Sequence, residues 1–106
     1  MTKNTNNKYL ISYCADPYYE ELQIYQIENS SGVTISSQDA EDFKLSIYFT
    51  MKKHNLEMKD LEIPNNHNIR YSHNDKWYFA EIDAINSLEA IALFRHYICQ
   101  GLNNHD

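Results

Sequence analysis

Residues 9–14 (YLISYC) alternate so that Tyr9, Ile11 and Tyr13 share one face, the period of two that marks a strand. Ala15, Asp16 and Pro17 break the run, since Pro17 has no N–H to give a sheet ladder. Residues 21–28 (ELQIYQIE) predict a second strand and Asn29, Ser30, Ser31 and Gly32 a turn, after which Val33, Thr34 and Ile35 extend the sheet briefly. The period then changes. Ser36 or Ser37 is placed to cap a helix whose first turn holds Asp39, Glu41 and Asp42, where negative charge favours the positive end of the helix dipole. Ala40, Phe43, Ile47 and Met51 recur at helical spacing, Lys52, Lys53 and His54 fall in the last turn, and Asn55 is the expected stop.

Leu56, Met58, Leu61 and Ile63 fit either a short helix or an irregular segment over the core, and Pro64, Asn65, Asn66, His67 and Asn68 read as a loop. Residues 69–73 and 76–84 flank Asn74 and Asp75 and predict a hairpin. On its second strand Tyr78, Ala80, Ile82 and Ala84 share one face, and Trp77, Phe79, Glu81 and Asp83 the other. A closing helix starts at Asn86, with Glu89 as the capping-box partner. Leu88, Ile91, Phe94, Ile98 and Leu102 mark its buried stripe, flanked by Ala90, Leu93 and Tyr97, and Gly101 sits where a left-handed C-terminal residue belongs. The predicted class is α+β in ββαββα order: a four-stranded, mainly antiparallel sheet with two helices packed on one face. Residues 1–7 (MTKNTNN) read as a flexible tail and residues 8–106 as a single domain.

Charge changes this picture more than composition does. Between Tyr9 and Phe43 stand Asp16, Glu20, Glu21, Glu28, Asp39, Glu41 and Asp42, and no Lys, Arg or His. That segment carries −7 within a whole-chain charge of −6. Direct binding to nucleic-acid phosphates is disfavoured, because such affinity rests on Lys and Arg. No apolar run reaches the roughly 18 residues of a membrane span, and the N-terminus has no signal-peptide apolar region, so a cytoplasmic protein with no membrane partner is expected. In that compartment Cys14 and Cys99 are expected to be small buried hydrophobes, not a disulfide.

Catalytic signatures are missing. His67 and His73 match no zinc spacing, and His54, His96 and His105 stand alone, so no metal is predicted. Cys99 follows His96 by three positions but lies in an apolar helix, where burial would leave the thiol protonated and inert. The carboxylate pairs Glu20/Glu21, Glu41/Asp42 and Glu81/Asp83 lack a facing partner across a cleft. Two glycines, Gly32 and Gly101, cannot build a phosphate-cradling loop. No catalytic residue, cofactor or enzymatic activity is expected.

What the residues do favour is docking to a protein. Asp16, Tyr18, Tyr19, Glu20 and Glu21 put phenols among carboxylates in an expected loop, and Glu28, Asp39, Glu41 and Asp42 extend the negative potential. Trp77 and Phe79 would add an aromatic sheet face if the helices cover the other side. The expected partner is a protein with a basic surface, such as a nucleic-acid-handling site. Two classes fit: inhibitors from phages or mobile elements, of anti-CRISPR or anti-restriction type, and immunity proteins or antitoxins that neutralise a nuclease. An adaptor or structural module is the third alternative. Sequence does not indicate the oligomeric state.

Overall fold

The computed structural model describes residues 6–34, 37–61 and 68–99. Its elements run β1 (Asn7–Asp16), β2 (Tyr19–Glu28), α1 (Gln38–Lys53), β3 (Lys59–Leu61), β4 (Ile69–Asn74), β5 (Trp77–Ala84) and α2 (Ser87–Tyr97). All pairings are antiparallel, in the order β2-β1-β5-β4-β3. The α+β class holds, with five strands where four were expected. The additional strand is β3, a short edge whose lone apolar residue, Leu61, is too little to show a period.

The helices lie on opposite faces of the sheet, which corrects the expectation of one shared face. Tyr9, Ile11 and Tyr13 of β1 pack with Ala80, Ile82 and Ala84 of β5 against Ala90 and Phe94 of α2. Leu10 and Phe79, on the reverse side, pack with Ile47 and Met51 of α1. The reason lies in β1, whose central run is buried at odd and even positions alike, as in a strand covered on both sides.

Both caps form as the residue types dictate. The Ser37 Oγ accepts from Ala40 N at 3.4 Å, and the Asn86 side chain accepts from Glu89 N at 2.8 Å. Glu89 reaches back to accept from Ile85 N at 2.9 Å. Asn55 adopts φ 57° just past α1, as a stop residue should, and Asp75 takes φ 58° in the β4–β5 turn. Leu88 is 77% exposed and is not part of the buried stripe, because α2 is held to the sheet through Ala90 and Phe94 instead. Asn7, expected in the tail, starts β1 opposite Ala84. Thr34 does extend the sheet, by one bridge to Glu28. Expectations at Ile35, Ser36, Ile63, residues 64–67, Gly101, Leu102 and His105 lie outside the described residues. No helix among the described residues is long and apolar enough to cross a membrane.

Candidate protein-binding site

The β1–β2 hairpin turns at Pro17 and Tyr18, and its tip is the most exposed aromatic part of the structure. Tyr18 is 97% exposed, and Tyr19 beside it is largely so. Asp16 shapes the turn by accepting from Tyr18 N at 2.8 Å. Its other oxygen accepts from Lys76 Nζ at 2.8 Å, and the ammonium, followed by the Tyr18 N–H, holds the Asp16 carboxyl below the usual carboxylate range. Lys76 is thus the cation that sequence order conceals: sixty positions away in the chain, it meets the tip through the β1–β5 pairing.

Register divides the tip between the two faces. In one cross-strand row Glu21, Cys14, Trp77 and Asn74 stand side by side on the α1 face, followed by Gln23, Ser12, Phe79 and Ser72. Glu20 points to the α2 face, where the Tyr13 hydroxyl donates to it. Burial first, then that hydrogen bond, pushes the Tyr13 phenol up to about 12. Glu21 accepts from the Tyr19 hydroxyl at 2.9 Å, which raises the Tyr19 phenol. Among the described residues neither Glu20 nor Glu21 has a cationic partner.

Between this part of the α1 face and α1 itself lies a groove of about 250 Å³. Trp77 and Phe79 form its aromatic floor, with ring planes 9° from parallel and centroids 6.3 Å apart. Trp77 is 36% exposed, whereas Phe79, which also lines the groove, is 4% exposed. The two rings therefore do not form an uncovered sheet face; α1 roofs Phe79.

The remaining acidic residues are not gathered at the tip. Glu28 lies seven positions along β2 from Glu21, about 23 Å by strand rise. It pairs with Lys8 at 3.9 Å and bridges to Thr34. Asp39, Glu41 and Asp42 stand at the start of α1, ahead of Phe43, which is seated on Tyr25 of β2 at 4.7 Å between centroids. The acidic segment is thus split: Asp16, Glu20 and Glu21 stand at the tip with Tyr18, Tyr19 and, across β1, Trp77, whereas Glu28 lies at the far end of β2 and Asp39, Glu41 and Asp42 at the start of α1.

Sequence reasoning missed Gln23, Ser12, Ser46 and Asn74 as groove residues. They are far apart in the chain and polar in ordinary ways, so only the register and the seat of α1 bring them together. Among the described residues no group of three or more His, Cys, Asp or Glu could hold a metal ion, and His67 lies outside them. Cys99 is buried, and burial pushes its thiol up to about 11, which disfavours a nucleophilic role. No family model matches this chain, and neither a curated protein nor a solved structure matches it.

Proposed function

We propose that this chain is a non-catalytic binding protein whose β1–β2 tip docks onto a basic surface of a protein partner. The observation that carries the reading is Tyr18, almost wholly exposed at the tip beside Tyr19 and flanked by Glu20 and Glu21 without cationic partners among the described residues. Two phenols give contact area at low rotamer cost, and the carboxylates steer the encounter. Lys76, a cation at the tip, is already engaged by Asp16. A partner site that ordinarily takes a polyanion such as nucleic acid has the matching charge. Occupying it would make the chain an inhibitor of a nucleic-acid-handling protein.

The test compares baits. Wild type, Tyr18→Ala and Glu21→Lys are used to capture proteins from the host lysate, and association with the recovered partner is then timed at rising salt. Glu21→Lys takes the net charge from −6 to −4 and, at a position held only by an exposed hydroxyl, should alter stability by no more than about 0.5 kcal/mol. A partner recovered by wild type, lost or slowed with both variants, and displaced by nucleic acid supports the proposal. Recovery that is equal across the three baits, with the same salt slope, overturns it. Glu20→Lys is the wrong probe, because it also removes the acceptor of the Tyr13 hydroxyl.

A further inference from the structure

We infer that the groove under α1 is a receptor for one arginine side chain of the partner, stacked on Trp77; the inference rests on the proposed docking of the tip to a basic surface. At about 250 Å³ the groove is below the roughly 300–1,000 Å³ of typical small-molecule pockets, and suits a single inserted side chain. Its floor includes Trp77, 36% exposed, and an indole is the best aromatic partner for a guanidinium.

Around that floor the polar groups are of the kind a guanidinium needs. Arginine presents five N–H donors in a planar fork and no acceptor, so its site must supply oxygen acceptors. Gln23, Asn74 and Ser46 border the groove with side-chain oxygens that accept no hydrogen bond from another described residue. Glu21 stands in the same cross-strand row as Trp77, two strands away, or about 10 Å. A guanidinium over the indole would thus have the Asn74 carboxamide on the adjoining strand, with the Gln23 carboxamide at the other border of the groove and the Glu21 carboxylate on the side facing the tip. The ammonium of Lys76 opposes a cation there, but its ion pair with Asp16 offsets most of that repulsion. An anionic ligand would meet the Glu21 carboxylate with no cation among the residues bordering the groove except His54, when protonated.

Trp77 is the chain's one tryptophan, so its fluorescence reports the groove directly. The probes are N-acetyl-arginine amide, the lysine equivalent, and the citrulline equivalent, which matches arginine in shape but carries no charge. The expected result is a saturable change in Trp77 emission with arginine, with lysine weaker and citrulline weaker by about tenfold. Gln23→Lys, at an exposed strand position, keeps both the reporter and the fold, as circular dichroism can check. It should weaken arginine binding at least as much, since it places a like charge at the groove. Equal responses to arginine and citrulline, no saturation, or a folded Gln23→Lys variant that binds arginine unchanged would each overturn the inference. Failure here is distinguishable from failure of the docking proposal. If the recovered partner is still lost with Glu21→Lys while arginine leaves Trp77 unmoved, the tip docks but the groove stays empty. If the groove binds arginine while all baits recover alike, the reverse holds.

Discussion

Tyr13 shows how one side chain can belong to a strand pattern, a core and a polar contact at once. Its ring packs edge-on against Phe94 at 5.8 Å between centroids, while its hydroxyl reaches out to Glu20. The folded state holds that phenol near 12 and the Cys99 thiol near 11, from ordinary values of 10.0 and 9.0, with burial as the leading cause in both. A raised value means that the folded chain keeps a proton the unfolded chain has released. Stability from these groups is therefore complete below the ordinary value and is lost as pH climbs through the folded one. Urea midpoints should fall from about pH 9 to 11 through Cys99, and from about pH 10 to 12 through Tyr13. Cys99→Ala should flatten the first interval and Tyr13→Phe the second; a fall of unchanged steepness in both variants would show that other groups control it. Sequence announced Cys99 as buried, because its neighbours Ile98 and Leu102 are apolar, and placed Tyr13 only on a strand face shared with Tyr9 and Ile11. It could not announce the Glu20 contact or the Lys76–Asp16 pair, which depend on hairpin register and on which strand lies beside β1.

Elements were legible where the chain carries its own punctuation. Both helices start at the capping residues the sequence displays, and β2, β4 and β5 follow the expected runs to within two residues. What locks α1 onto the sheet had no local signal. Glu81 is a buried carboxylate on β5, and it accepts from the Tyr48 hydroxyl of α1 at 2.7 Å and from Arg70 of β4 at 3.3 Å. Arg70 also lies 3.4 Å from Asp60 of β3, so one chain of polar contacts ties four elements together. Burial first, then Glu81, pushes the Tyr48 phenol well above its ordinary range. Tyr48→Phe keeps the ring but leaves one oxygen of a buried carboxylate without its donor, which should cost about 1.5–3 kcal/mol by chemical denaturation. A cost under about 0.5 kcal/mol would mean that water takes the hydroxyl's place and that α1 is held by its apolar face alone.

For the whole molecule, the decisive fact is that the sheet is a middle layer. The rule that two hairpin-plus-helix units put both helices on one side fails here because β1 is buried on both faces and Phe79 of β5 adds an apolar side chain on the face opposite Ala80 and Ile82, leaving neither face fit for water. That arrangement also makes the groove, since α1 can roof Phe79 and leave Trp77 partly open only by lying on the side opposite α2. If the layers form one cooperative unit, damage under α2 must be felt at Trp77 across the sheet. Phe94 is fully buried in the α2-side core, and Phe94→Ala should cost about 3–5 kcal/mol. Trp77 fluorescence, which reads the α1 side, should report the same lowered denaturation midpoint as far-UV circular dichroism, because the strands between the layers contribute side chains to both cores. A Trp77 midpoint that stays at the wild-type value while the dichroism midpoint falls would show the layers unfolding separately. The α1 face, with its groove and tip, would then be a unit whose stability is set without α2.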